Sequence, residues 1–414
     1  MRKKVRKGLI FTAKILLSIA LLAYVLRGVE WHDFVVAGDG RTKISVRWAQ
    51  EQGGQLRLTL ADGREEIRSP GTLTPIGANI AGAQSASGAL LKNYLHPGFR
   101  SSIDGILWWL LAVGALSFLV STLMIAVRWW RLVKVLGIRL SLWESTRLTF
   151  LGQFFNNIVL GTTGGDLVKA YYLSRHQASK ATSLVTVLVD RLIGLTGMTL
   201  LSALMLVIVF IGRGAFDPTG QYNRQFSMAS AVAGTVLAGL LGMGVFIFSG
   251  RLRRWLRLEK FYQRLPLAKQ LAVAGEAITR YRHNLPAMFR AMAETLVAQM
   301  IFIGGIALVG ASLHLQIPWY QYFIFIPLIY IIAAVPIVPG GVGLAESFYV
   351  TFFIAWASQS QIMALALLAR LIPVFWGLPG AIVAVTGPKI PPADQLKAEM
   401  EGKEVPNSEF QILN

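Results

Sequence analysis

After residue 100 of 414, apolar stretches recur along nearly the whole chain, several of them long enough to cross a bilayer. No soluble domain can bury that many full-length apolar segments. Composition agrees: only 15% of residues are charged, against roughly a quarter in soluble chains. The sequence therefore predicts a polytopic integral membrane protein.

The spans read from hydropathy are Ile106 to Val127, Leu148 to Leu160, Leu184 to Ile211, Met228 to Phe248, Met288 to Leu313, Tyr320 to Val335, Leu344 to Trp356 and Ile362 to Val385. Ahead of them, the basic run Met1 to Lys7 precedes an apolar segment from Gly8 to Leu26. A signal peptide would show the same basic start. A retained first span fits better, because the apolar run approaches a full crossing and no small-x-small cleavage site follows. The fold class expected is an all-α polytopic membrane protein of about seven to eight transmembrane helices, two of them broken or re-entrant.

Residues 27–103 differ. They are mixed in charge and rich in Gly and Ser. Lys43 to Trp48 and Gln55 to Leu60 alternate like strands, separated by Gly53-Gly54 and followed by the turn Asp62-Gly63. One or two β-hairpins are expected in a small extracytoplasmic insertion, too short to build much of a core. Ala78 to Ala89 reads as a flexible stretch. The chain then divides into 1–26, a basic cytoplasmic N-terminus with the first span; 27–103, the insertion; 104–386, the transmembrane domain; and 387–414, a polar tail expected to be disordered.

A net charge of +19 needs a location. Nucleic acid is the usual partner of so basic a chain. Here the Lys and Arg residues sit mostly between apolar spans, which is the signature of membrane topology. The segments Arg128 to Arg139, Lys169 to Lys180 and Arg251 to Arg282 are basic, whereas Leu315 to Pro318 and Gln359 to Gln361 carry no Lys or Arg. Basic loops inside give a consistent alternation if 148–160 does not cross simply, and put the protein in an inner (plasma) membrane with a cytoplasmic N-terminus. The block 251–282 interleaves Trp255, Leu256 and Phe261 with its cations. It reads either as a plain inside loop or as an interfacial helix on anionic inner-leaflet lipid, and both use the same residues.

Two segments carry the functional signal. The first runs Asn156, Asn157, Gly161, Gly164, Gly165, Asp166, Lys169. The second runs Pro336, Pro339, Gly340, Gly341, Gly343, Glu346. Each follows an apolar half-span, breaks at glycines and places a carboxylate soon after. Broken backbone at membrane depth must line protein or a wet cavity, because hydrocarbon cannot satisfy its N–H and C=O groups. A pair of such breaks in two halves of a chain points to a transporter-type site, and a new helix start favours an anion. Tight surface turns with Asp166 and Glu346 as helix-start carboxylates are the plainer alternative.

Three further charges lie inside apolar runs: Asp190, Arg191 and Arg370. A charge at the bilayer centre costs about 2.5–3.5 kcal/mol on insertion scales, so each should face a partner or water. Asp190 and Arg191 are adjacent and cannot share a helix face. Separate partners are expected, with Lys169, Glu346 and Arg370 the candidates; a structural interhelix pair is the alternative. Glu294 sits nearer a span end, where snorkelling to the interface is expected.

The sequence resembles the flippase-like family related to the membrane half of bacterial lysylphosphatidylglycerol synthetases. The matching features are Arg128-Trp129 closing a span, Asn157 followed by Gly164-Gly165-Asp166 and a cation at Lys169, Asp190-Arg191, and Pro339 through Glu346. The family often has Pro where Leu160 stands, Arg where Lys169 stands and Glu where Asp190 stands. The resemblance covers about residues 104–386 plus the first span. It implies lipid translocation without the synthetase reaction, whose cytosolic domain does not follow the last span.

The function expected is transfer of an anionic or glycosylated membrane lipid between leaflets, with no catalytic residue and no cofactor. Asn156 and Asn157 would donate hydrogen bonds to the head group. Lys169, Arg191 and Arg370 would compensate phosphate charge. Asp166, Asp190 and Glu346 would orient those cations or carry coupling protons. An intramembrane lipid-linked transferase using the paired carboxylates, or a regulatory membrane subunit, are the alternatives. There is no Gly-x4-Gly-Lys-Ser/Thr run.

Overall fold

The computed structural model describes residues 16, 19–24, 26–39, 42–60, 62–74, 94–159, 164–174, 179–212, 223–248, 268–335 and 341–386. Most of the first span, the stretch at 78–89, residues 251–267 of the basic block and the tail lie outside them, as do 160–163 and 336–340. The described chain is mostly helical, with a small sheet near the N-terminus. Among the described residues, four helices are long and apolar enough to cross a membrane.

The chain divides into two compact units. One comprises 1–118, 201–233 and 302–372, the other 119–200, 234–301 and 373–414.

The first unit holds the sheet. Five antiparallel strands, β1 (Asp33–Ala37), β2 (Lys43–Gln52), β3 (Gln55–Leu60), β4 (Glu65–Arg68) and β5 (Leu73–Thr74), are ordered β4-β3-β2-β1-β5. Gly53-Gly54 make the β2–β3 turn, as the sequence predicts. β2 and β3 pair with a register shift between Val46 and Trp48. The sheet is larger than the hairpins expected. β1 is a continuous Phe-Val-Val run without alternation, and β4 and β5 are too short to show a period. Val35, Val46, Leu56, Leu58 and Leu73 form its small core. The base of the sheet is pinned within this unit. Glu30 N donates to Ser360 Oγ at 2.9 Å, and Ser358 Oγ donates to the Pro97 carbonyl at 3.3 Å.

After the short helix α1 (Phe99–Asp104), the helices follow a repeated order. α2 (Trp108–Val135), α3 (Leu142–Phe154), α4 (Gly164–Ser174) and α5 (Lys180–Gly212) run 28, 13, 11 and 33 residues. Next come α6 (Asn223–Phe248) and α7 (Ala268–His283). The long-short-short-long order then returns. α8 (Leu285–Ser312), α9 (Trp319–Ala334), α10 (Leu344–Phe353) and α11 (Gln359–Thr386) run 28, 16, 10 and 28 residues.

Two boundaries differ from the hydropathy reading for physical reasons. α2 continues through Val135, so Arg128, Arg131 and Lys134 ride on a helix rather than in a loop. α3 starts at Leu142, ahead of Leu148. Ser141 and Glu144 form a reciprocal capping box there, and the polar residues of that first turn hide it from a hydropathy scan.

Within the second unit, Trp129, Leu132, Leu151, Val168, Leu173 and Tyr281 belong to one buried cluster. α3 and α4 touch backbone to backbone. A Cβ at Gly165 would lie 1.8 Å from the Gly152 carbonyl oxygen, so only glycine permits this crossing. In the first unit, Phe325 of α9 stacks on Phe352 of α10 with ring centroids 4.9 Å apart. The backbones of α2 and α8 approach each other at Gly114 and Gly305.

Candidate functional site

α4 begins at Gly164 and carries Asp166 in its first turn, as expected after a glycine break. Its new N-terminus is capped from the preceding segment. α3 ends in a π-turn over Phe155–Val159, and Asn156 Oδ1 accepts a hydrogen bond from Gly165 N at 2.8 Å. Asn156 thus serves the helix start with the oxygen of its side chain. Asn157 is exposed and donates from Nδ2 to the Pro373 carbonyl at 3.3 Å, beside Gln153, which donates to the same oxygen at 3.1 Å.

Five charged side chains gather around α4 in this unit. Arg191 of α5 donates to Asp166 Oδ2. Asp190, one residue earlier and on the other face of α5, accepts two hydrogen bonds from Arg128 of α2, at 2.7 and 3.0 Å. Arg128 Nη1 donates to Thr295 of α8 at 2.7 Å. The Arg128 and Asp190 side chains are 6% and 12% exposed, so the charges must neutralise each other rather than rely on water. Lys169 is buried with Nζ 4.0 Å above the Trp129 ring, a cation–π contact. It also lies within electrostatic reach of Asp190 and Asp166. Among the described residues, three cations here face two carboxylates.

The prediction that Asp190 and Arg191 take separate partners therefore holds, but the partners differ from those expected. Arg128 and Asp166 make the direct bonds. Arg128 was read as a positive-inside residue because it follows the apolar run; its place before two tryptophans was the available signal. Thr295 gave none, since a lone Thr in an apolar span is ordinary. Glu294, expected to reach the interface, has a partner there. It pairs with Arg131, with its side chain 17% exposed.

The second constellation lies in the other unit and repeats the pairing of a helix-start carboxylate with an arginine of the next long helix. Gly340 falls outside the described residues. Gly341 and Gly343 have φ of +65° and +82°, a conformation that other L-residues adopt only with strain. α10 starts directly after them. Glu346, in its first turn and 5% exposed, accepts from Gly343 N at 2.7 Å and from Arg370 Nε at 2.5 Å. Arg370 of α11 also donates to the Gly341 carbonyl at 3.2 Å. The carboxylate caps its own helix and holds the arginine, and the arginine holds the break.

The two pairs occupy equivalent positions in the repeat. Asp166 and Arg191 are 25 residues apart, Glu346 and Arg370 are 24 apart. Each arginine lies eleven residues past the start of its long helix, from 180 to 191 and from 359 to 370.

With these features in place, comparison with known families is decisive. The family model for the lysylphosphatidylglycerol synthase TM region matches residues 97–380. The chain belongs to this family. The match spans both glycine breaks and all four paired arginine and carboxylate positions, and nearly all of the transmembrane domain read from the sequence. A search of curated proteins finds no significant match to the chain. Family membership gives the chain a role tied to membrane lipid and a multi-pass membrane location.

Proposed function

We propose that this member of the lysylphosphatidylglycerol synthase TM-region family is a flippase-type transporter that moves an anionic or glycosylated lipid between leaflets. The observation that carries the reading is the recurrence, in both halves of the repeat, of a glycine break, a helix-start carboxylate and an arginine from the next long helix. Charges inside apolar spans are expensive to place in a membrane protein, even as ion pairs that are only partly exposed. A fold that places one at the same position twice keeps it for use. The helix starts at Gly164 and Leu344 would turn their positive dipole ends to a head group, while acyl chains stay in lipid.

In this reading Lys169, Arg191 and Arg370 compensate phosphate charge. Asp166, Asp190 and Glu346 hold those cations between turnovers or carry coupling protons. Asn157 offers its amide, and Asn156 shapes the break. The two broken regions are re-entrant elements of the span array. The chain sits in the inner (plasma) membrane with its N-terminus in the cytoplasm, and its basic block at 251–282 rests on anionic inner-leaflet lipid. It performs no chemical conversion and needs no cofactor or nucleic acid.

The test is reconstitution of the full chain in liposomes with head-group-labelled lipids of several classes. Acceleration of flip-flop over empty vesicles is expected, and its loss in Glu346→Gln and Asp166→Asn. No acceleration for any class would overturn the reading. The orientation has its own test, since the chain lacks cysteine. Single cysteines at Ser87 and Ala268 should label from opposite faces of the membrane.

A further inference from the structure

A second polar site lies away from the glycine breaks, in the unit that contains the end of α2 and the start of α8. A cavity of about 390 Å³ opens there, lined by Arg131, Lys134, Asn284, Arg290 and Glu294. Lys134 also borders a neighbouring open cavity that includes Arg139.

Among the described residues that line this cavity, three cations meet one carboxylate. Glu294 pairs with Arg131. Among the described residues, Lys134 and Arg290 have no carboxylate within ion-pair distance. Lys134 is held in place by the face of Trp130, with Nζ 3.7 Å from the ring centroid. Two cations that line this concave surface therefore have no paired carboxylate among the described residues.

The depth of the site follows from the helix. α2 is apolar from Trp108 to Val127, which at 1.5 Å per residue spans about 30 Å, the thickness of a hydrocarbon core. Arg131 and Lys134 follow within two turns, at head-group level. On α8, Leu285 and Phe289 lie one turn apart and are 50% and 73% exposed. They neighbour the cavity residues Pro286 and Arg290 in sequence and give the site an apolar shoulder. A phosphate held by Lys134 and Arg290 would leave attached acyl chains against Leu285 and Phe289.

We propose that this cavity binds the phosphate of an anionic membrane lipid as a resident lipid. The site is independent of the translocation reading, because it uses none of the residues at the breaks. Phosphate is the shared chemistry of a lipid head group and a soluble phosphate ester. The apolar shoulder favours the lipid.

The experiment is native mass spectrometry of the full chain, delipidated in detergent. It would be titrated separately with dioleoylphosphatidylglycerol, dioleoylphosphatidylcholine and glycerol 1-phosphate. Wild type should retain phosphatidylglycerol in preference to phosphatidylcholine. Lys134→Gln with Arg290→Gln should weaken that binding about tenfold or more, through loss of two charge-assisted contacts. Lys134→Arg with Arg290→Lys should keep it. The single exposed change Arg290→Gln should give an intermediate loss, and is informative even if the double variant folds poorly. Equal phosphatidylglycerol binding by wild type and the glutamine variants would overturn the site. Displacement of the lipid by glycerol 1-phosphate at matched concentration would overturn the lipid assignment.

Discussion

Arg370 donates to the carboxylate of Glu346 at 2.5 Å and to the Gly341 carbonyl at 3.2 Å, so one guanidinium ties a helix start to the break before it. Glu346 has a second duty, as its other oxygen caps Gly343 N. The two duties can be separated. Glu346→Gln keeps an acceptor for the cap but removes the Glu346 charge from Arg370, at a cost of about 3–5 kcal/mol for a well-buried partner and less for Arg370, which is partly exposed. The reversed pair Glu346→Arg with Arg370→Glu restores the attraction but not the cap. It should melt below wild type in detergent. A reversed pair as stable as wild type would show that the cap contributes nothing.

The Arg128–Asp190 pair tests whether burial or function fixes it. Asp190→Asn strands Arg128 and leaves Lys169 with one nearby carboxylate fewer, so a loss of about 3–5 kcal/mol is expected. Arg128→Met with Asp190→Leu removes both charges and should recover most of that stability. Thermal unfolding in detergent measures the first effect, and flip-flop in liposomes measures what remains lost. Full transport by the apolar double variant would make this pair purely structural.

Gly165 sets the contact between α3 and α4. Alanine there would place its Cβ 1.8 Å from the Gly152 carbonyl oxygen, a backbone atom that cannot move without parting the two helices. Gly165→Ala should therefore destabilise the chain by several kcal/mol, at least as much as ordinary overpacking at about 1–3 kcal/mol. Gly194 is the control, since a Cβ there meets nothing within 4 Å. In the interior of α5, Gly194→Ala should be neutral or stabilise by up to about 1 kcal/mol. Monodisperse recovery on size exclusion after heating would rank the two variants.

The long apolar helices and the helix starts at Gly164 and Leu344 were legible in the sequence because hydropathy and glycine clustering are local signals. So was the separation of Asp190 from Arg191, which follows from helix geometry alone. The partners were not legible. Arg128 meets Asp190 across 62 residues, and no local pattern encodes such a pairing. The size of the sheet was hidden for another reason. β1 is buried on both faces, Phe34 at 5% and Val35 at 0% exposure, so it lacks the alternation that marks β2 and β3. Arg131 and Lys134 looked like topology signals because charge at a span end has two uses, and only a cavity tells them apart.

His96 makes the sheet sensitive to acid. Its ring stacks on Phe34 with centroids 4.9 Å apart, its backbone exchanges two hydrogen bonds with Phe34, and Nε2 is buried without a partner. Burial pushes its pKa down from 6.5 to about 4, opposed in part by a hydrogen bond with the Thr74 backbone and aided by a smaller effect of Lys43. The folded sheet thus holds a neutral imidazole that the unfolded chain would protonate below pH 6.5. Its stability is fully present above pH 6.5. It falls as pH drops from 6.5 toward 4, by roughly 3 kcal/mol at the limit. Amide exchange of β1 and β2 should therefore quicken between pH 6.5 and 4.5, once the intrinsic pH dependence of exchange is removed. His96→Phe keeps an aromatic ring against Phe34 and cannot take up a proton, so its corrected exchange should be flat over that range. A wild type as flat as the variant would mean that the folded and unfolded states bind the His96 proton equally.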